Sequence, residues 1–336
     1  MRPSMLSLLL GLAAACGGAH EGVRPAPAPA SQVTNVTQVS TRKRAPATTP
    51  ATSLPALPAT QRDAVADTLH GVTVPDPYRW LEDEKAPAVQ AWMQAQDRVT
   101  RARLGALPGR AALARRFRDL YYVESISAPA KRGGRFFYSR THKDREKAIV
   151  YWRAGQKGAE KVLLDPNGWS ADGTVSLGLW APSWDGRKVA FTKRPNAADE
   201  AILHVLDVDS GAISTVDVIP GAKYATPRWT PDSRGFYYEW LPTDPKIPVA
   251  ERPGYTEIRY HALGADPAAD PIIHARTGDP STFLSAYLSR DGRWLFAYVM
   301  RGWSENDVYI RDLHAKGGTF RPLVLGKDTL YDVRAW

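Results

Sequence analysis

The chain has 336 residues, of which 43% are hydrophobic and 24% are charged, and its formal net charge is +9. This composition excludes a largely disordered chain and is sufficient for a large core. Lysine and arginine are interspersed with acidic residues and no nucleic-acid-binding motif occurs, so the charge favours general solubility and attraction to anionic envelope surfaces over a nucleic-acid partner.

Residues 1–15 have the pattern of an export signal. Arg2 supplies the positive region, an apolar run follows, and three alanines precede Cys16. A cysteine at this point resembles a bacterial lipoprotein signal, in which Cys16 is the lipidation site; the alternative is a plain cleavable signal with an incidental cysteine. Cys16 is the only cysteine, which excludes an internal disulfide and a cysteine-based zinc site. We therefore expect an exported protein, periplasmic or anchored as a lipoprotein in a bacterial cell envelope.

A tether and a helical segment come next. Residues 16–62 are dominated by Ala, Pro, Thr, Ser and Val without a regular period, which predicts a disordered tether. Residues 63–123 contain two apolar patterns at helical spacing, the first beginning at Pro87 and the second covering about residues 111–121. Both predicted helices are amphipathic, so each needs a surface to pack against.

A hairpin pattern then returns four times: an apolar strand, a tight polar turn and a second apolar strand. Each copy is followed by another hairpin, and the spacing of roughly 45 to 60 residues is typical of four-stranded propeller blades. Recurrence at one period favours a propeller over the alternative, a β-sandwich. The predicted turns are Gly133-Gly134, Asp185-Gly186, Asp232-Ser233 and Asp291-Gly292, whose residues tolerate positive φ.

These elements predict a mainly β fold: an incomplete β-propeller of about four blades, preceded by a short α-helical segment. An open ring of blades leaves a strand edge bare, so we also expect the sequence to be incomplete on its C-terminal side. The partial propeller is predicted at residues 124–336, with blades at about 124–175, 176–222, 223–278 and 279–328 and the start of a fifth at 329–336.

One short motif resembles a known family. Residues 76–83, Asp-Pro-Tyr-Arg-Trp-Leu-Glu-Asp, are very similar to the N-terminal signature of the prolyl oligopeptidases, serine peptidases that cut short peptides after proline. Glu82 stands where oligopeptidase B, a relative that cuts after basic residues, usually has arginine, which favours the proline-specific branch. The resemblance extends from about residue 67 to the end of the chain, through residues 140–144, 164–168, 207–211, 237–240 and 301–307.

The resemblance implies a propeller of seven blades that admits only short peptides to an active site. It also implies an α/β-hydrolase domain that is absent here, with residues 63–123 packed on that domain of the same protein. The resemblance thus implies that the chain is the N-terminal part of an exported serine endopeptidase whose partners are short proline-containing peptides. A membrane would be reached only through a lipid on Cys16.

The residues that would carry such chemistry are missing. A hydrolase nucleophile needs Gly-x-Ser-x-Gly, and neither Ser170 nor Ser304 has the second glycine. We therefore predict no catalytic residue within this chain, no cofactor, no metal and no peptidase activity of the chain alone. The alternative function is a stand-alone, lipid-anchored propeller that binds a peptide or protein. None of the histidines matches a catalytic triad by motif: His20, His70, His142, His204, His261, His274 and His314.

Overall fold

The computed structural model describes residues 56–198, 200–326 and 328–335. The chain divides into two compact units, residues 1–103 and 104–336. The predicted signal at residues 1–15, Cys16 and most of the predicted tether lie outside the described residues.

The described part of the first unit is a hairpin followed by a helix. Its turn is left-handed at His70 and Gly71, with φ of 49° and 80°. The Arg79 guanidinium hydrogen-bonds the carboxylates of Asp67 and Asp76, which ties the segment after the hairpin back to its first strand. The elements are β1 (Ala66–Leu69), β2 (Val72–Pro75), a 3-10 turn (Arg79–Glu82) and α1 (Pro87–Gly105), which begins at the predicted proline.

The described residues of the second unit form α2 (Arg110–Tyr121) and four antiparallel sheets, each built from strands consecutive in the chain. The prediction of four blades is confirmed. The first blade holds β3 (Ser125–Ile126), β4 (Ala130–Arg132), β5 (Arg135–Thr141), β6 (Ile149–Ala154) and β7 (Lys161–Leu164). Its two short strands, β3 and β4, both pair with β5.

The other three blades hold four strands each. The second has β8 (Ser176–Pro182), β9 (Lys188–Arg194), β10 (Ile202–Asp207) and β11 (Ile213–Ile219). The third has β12 (Arg228–Trp229), β13 (Gly235–Trp240), β14 (Glu257–Ala262) and β15 (Ile272–His274). The fourth has β16 (Thr282–Leu288), β17 (Trp294–Arg301), β18 (Glu305–Asp312) and β19 (Arg321–Val324).

The hydrophobic core lies between neighbouring blades. Side chains of a strand point alternately to its two faces, so the second and third blades each pack on the blade before and the blade after. Strand β9 shows this directly: Val189 and Phe191 pack with the first blade, while Ala190 packs with the third. The continuous apolar runs of the second strands are therefore buried on both faces.

The predicted turns adopt the expected backbone. Gly133, Gly186, Ser233 and Gly292 have φ of 54°, 71°, 59° and 76°, all left-handed. The turns of adjacent blades also touch, because the Gly133 N–H donates to the Trp184 carbonyl at 2.8 Å. A Cβ added at Gly186 would lie 2.6 Å from the Arg132 carbonyl oxygen of the first blade. Glycine is thus required at Gly186 for close approach as well as for φ.

Gly186→Ala and Gly211→Ala separate these two requirements. Both glycines have nearly the same φ, 71° and 72°, but nothing lies within 4 Å of a Cβ at Gly211. Alanine in the left-handed region is expected to lower the free energy of unfolding of each variant by about 1–2 kcal/mol. The free energy of unfolding of Gly186→Ala is expected to fall by about 1–3 kcal/mol more, because the added methyl overpacks the contact between blades. Urea unfolding of the two variants measures this difference, and equal losses would contradict it.

Residues 329–336 are predicted to open a fifth blade, and this stays a prediction. Residues 331–335 pair with no strand among the described residues. Their alternation is nevertheless real, since Tyr331, Val333 and Ala335 all pack on the fourth blade. The Asn306 side chain accepts the Tyr331 N–H at 2.7 Å, in place of a backbone partner. A side chain thus holds the segment extended without a ladder of backbone hydrogen bonds.

Candidate functional site

The first strands of the four blades line one cavity of about 570 Å³. A smaller cavity of about 310 Å³ adjoins it and shares Arg228, Tyr287 and Arg334 with it. Asp332 lies in the smaller cavity and pairs with Arg334 at 3.0 Å. Ligand sites are usually concave and combine apolar walls with a few polar groups, so this pair of cavities is the candidate site.

The turns beside the cavity repeat one side-chain pattern in the second, third and fourth blades. A Ser or Thr hydroxyl donates to an aspartate two residues on, and that aspartate accepts a backbone N–H two residues further. These bonds keep the pKa of Asp232 and Asp291 below the ordinary range. The residue between hydroxyl and aspartate is Trp184 in the second blade and Arg290 in the fourth, and both line the cavity.

The larger cavity is strongly basic. Its wall includes Arg132, Arg228, Arg290 and Arg334 and no acidic side chain. Burial and, to a lesser degree, the charge of Arg290 lower the pKa of Arg132. Arginine remains protonated despite such a shift, so the cavity presents fixed positive charge.

The apolar part of the wall is rigid. The Trp184 indole N–H donates to the Trp229 carbonyl at 3.0 Å, and the Trp229 indole N–H donates to the Ala181 carbonyl at 2.9 Å. Each ring is thereby tied to the neighbouring blade. The cavity therefore offers fixed aromatic surface beside its guanidinium groups.

The two serines singled out in the sequence do not form a catalytic arrangement. The Ser170 hydroxyl oxygen accepts the Val175 N–H at 3.1 Å, and Ser304 lies between β17 and β18. Within the described residues, no serine hydroxyl is hydrogen-bonded to a histidine. The structure thus brings neither serine together with a general base.

The histidines serve separate local roles. His142 Nε2 lies 3.0 Å from the Tyr151 hydroxyl, and His70 and His314 are exposed. Burial lowers the pKa of His204 and of His274. His20 lies outside the described residues. His261 differs from the other described histidines because it has an acidic partner at each ring nitrogen.

His261 is fully buried between two aspartates. Its Nε2 lies 2.9 Å from Asp217 of the second blade, and its Nδ1 lies 3.0 Å from Asp270 of its own blade. Because both ring nitrogens face carboxylates, both carry protons. Burial opposes this charge, but the bonds to Asp270 and Asp217 raise the pKa of His261 overall. With no exposed surface and no nucleophile beside it, His261 joins two blades and is not a general base.

Among residues 56–198, 200–326 and 328–335, no three His, Cys, Asp or Glu side chains are grouped to hold a metal ion. In the part of the chain that the structure describes, no helix combines the length and apolar character needed to cross a membrane.

Sequence reasoning missed the basic cavity. The signal was present in the repeat, since Trp184 and Arg290 occupy the same position of equivalent turns. The approach of Arg132 and Arg334 depends on how blades are arranged, which the repeat does not specify.

The chain resembles known proteins over most of its length. Residues 58–336 match the family model for the prolyl oligopeptidase N-terminal β-propeller domain. Prolyl endopeptidase from Elizabethkingia meningoseptica is 28% identical over 276 residues, which is 82% of this chain and 39% of that protein. The dual function macrocyclase-peptidase POPB from Galerina marginata is 27% identical over 77% of this chain and 39% of its own length.

A solved structure agrees with these relatives. It comes from a structural and mechanistic study of two prolyl endopeptidases and the role of inter-domain dynamics, and it is 66% identical with a TM-score of 0.81. The match covers 84% of this chain and 41% of that chain. The resemblance drawn from residues 76–83 is thereby confirmed. The chain belongs to the prolyl oligopeptidase family, and residues 58–336 are its N-terminal β-propeller domain.

Proposed function

We propose that this chain is the propeller part of an exported serine endopeptidase that cleaves short peptides after proline. The observation that carries the proposal is the match of residues 58–336 to the propeller domain of this family. The chain spans about two fifths of the relatives it matches, 39% and 41% in the two cases above. In this proposal the catalytic serine, aspartate and histidine are supplied from outside these residues, and the chain alone is inactive.

An exposed side of α2 supports a partner domain. Leu113, Phe117, Leu120 and Tyr121 lie at helical spacing on one side, and Phe117 and Tyr121 are 62% and 73% exposed. A cluster of large apolar side chains in water marks an interaction surface. We assign it to the α/β-hydrolase domain of the same protein.

The cavity supports a gating role. It lies along the first strands of all four described blades and is lined by aromatic and charged groups. In the proposed enzyme short peptides pass this wall on the way to the active site, and folded proteins are kept out by its width.

We also infer from the sequence that the protein is exported. Residues 1–15 supply the signal pattern, and Cys16 would carry the lipid of a periplasmic or membrane-anchored lipoprotein. The alternative of a plain cleavable signal gives an exported protein without an anchor. An antibody against the blades, applied to membrane and soluble envelope fractions, distinguishes the two.

The peptidase proposal is tested by comparing the native protein with the recombinant chain. Protein captured from its own cells with the blade antibody is expected to cleave a fluorogenic reporter after proline, but not its alanine counterpart, and a serine-directed inhibitor should abolish cleavage. Recombinant 1–336 is expected to give no cleavage. Inhibitor-sensitive cleavage by the recombinant chain would contradict the proposed division of roles. A captured protein of this chain's mass without activity would favour the stand-alone binding module.

A further inference from the structure

Two guanidinium groups share one aromatic ring in the larger cavity. The Arg132 guanidinium carbon lies 4.4 Å from the Trp184 ring centroid, and that of Arg290 lies 6.0 Å from it. The first arginine comes from the first blade and the second from the fourth. Both positive charges thus lie near one ring, where a counter-ion between them would relieve their mutual repulsion.

The described residues do not provide that counter-ion. Arg132 donates to the Lys131 carbonyl at 2.9 Å, and Arg290 has no ion pair with an acidic side chain of the described residues. Arg228 differs from these two arginines because its Nε already donates a hydrogen bond to the Ala286 carbonyl at 3.0 Å. Most N–H groups of Arg132 and Arg290 are therefore free to bind an oxyanion.

The surroundings fit a peptide. Pro182, Pro227 and Tyr287 line the same cavity beside Trp184 and offer apolar contact to side chains such as proline. A carboxylate can accept paired N–H groups from guanidinium, and such charge-assisted bonds are strong. Arg334 lies on the same wall but is paired with Asp332 of the smaller cavity, so the unpaired positive charge is that of Arg132 and Arg290.

We infer that the inner wall of the blades is a binding site for acidic peptides, with a peptide carboxylate held between Arg132 and Arg290 above Trp184. This inference rests on the proposed function, in which peptides travel along this wall. The carboxylate comes from a glutamate or aspartate side chain or from the peptide C-terminus. Acidic proline-containing peptides are thus the preferred class.

Fluorescence anisotropy with the full chain tests the site. The probe is a short rhodamine-labelled peptide with one proline and one glutamate, compared with its glutamine version, each with a free or an amidated C-terminus. The glutamate peptide is expected to bind about tenfold more tightly than the glutamine peptide if the side chain is the ligand. A tenfold loss on amidation instead would assign the site to the C-terminus.

Arg290→Gln is the decisive variant because Arg290 is exposed and its loss leaves the packing of the turn intact. It is expected to remove the tenfold preference. Arg234→Gln is the matched control: it makes the same change in charge in the equivalent turn of the third blade, away from the cavity, and should leave binding unchanged. Equal binding of all four peptides, or the same loss in both variants, would overturn the inference.

Failure here is distinguishable from failure of the proposed function. Captured native protein that cleaves after proline without any acidic preference in the binding assay would overturn the carboxylate site alone. Recombinant chain that binds the acidic peptide through Arg290 supports the site even where the captured protein shows no peptidase activity.

Discussion

Replacing His261 with leucine is expected to lower the free energy of unfolding by about 3–5 kcal/mol. The variant leaves Asp217 and Asp270 buried without the positive charge between them. Tyr238 still donates to Asp270 at 2.8 Å and Gly264 N–H to Asp217 at 2.6 Å, but these neutral donors do not balance two charges. Thermal or urea unfolding of the full chain measures the loss.

The pH dependence of this effect has a defined sign. The folded pKa of His261 is raised above 6.5, so its stabilising contribution is present below pH 6.5 and is lost as pH rises through the folded pKa. Burial opposes the negative charge of Asp217, yet its hydrogen bonds lower its folded pKa below 3.8. Its stabilising contribution is present above pH 3.8 and is lost as pH falls through the folded pKa. The charged groups of His261 and Asp217 therefore stabilise the folded protein most between pH 3.8 and 6.5.

His314→Leu is the control for these experiments, because His314 is an exposed histidine of the fourth blade. It should change stability by less than about 0.5 kcal/mol. Adding Asp217→Asn and Asp270→Asn to His261→Leu removes the unpaired charges and should recover part of the loss. A His261→Leu protein as stable as wild type at pH 5–6 would show that the buried charges do not join the blades.

Glu239→Ala is expected to lower the free energy of unfolding by about 3–5 kcal/mol, because it leaves two buried N–H groups without an acceptor and creates a cavity. Glu239 is buried, and its two carboxylate oxygens each accept a backbone N–H at 2.7 Å, from Ala286 of the fourth blade and from Thr226. Arg228 binds the carbonyl of the same Ala286. The third blade thus satisfies the backbone N–H and the backbone carbonyl of one residue, Ala286, in β16.

Two further variants sharpen this prediction. Glu239→Gln keeps the side-chain volume but replaces one hydrogen-bond acceptor by a donor. Its free energy of unfolding should therefore lie between those of the wild type and Glu239→Ala. Glu251→Ala removes an exposed carboxylate of the same blade and should be nearly neutral. Chemical unfolding that gives equal stabilities for Glu239→Ala and Glu251→Ala would rule out this inter-blade link.

The sequence by itself determined the elements of this protein. Its hairpins follow from alternating apolar residues and from turn residues that accept left-handed φ, and even Ser233 adopts φ of 59° as its place in the repeat predicts. The start of α1 at Pro87 follows from proline's fixed φ and missing N–H. These are local effects, so neighbours along the chain are sufficient to decide them.

Only the tertiary structure decided which distant groups meet. Asp217 and His261 are 44 residues apart in sequence, and Glu239 and Ala286 are 47 apart. Arg132, Trp184 and Arg290 come from the first, second and fourth blades and meet only when the first strands of those blades line one cavity. A two-residue alternation specifies which face of a strand is buried. It does not specify which polar groups of the neighbouring blade that face will contact, because this depends on the angle and offset between whole sheets.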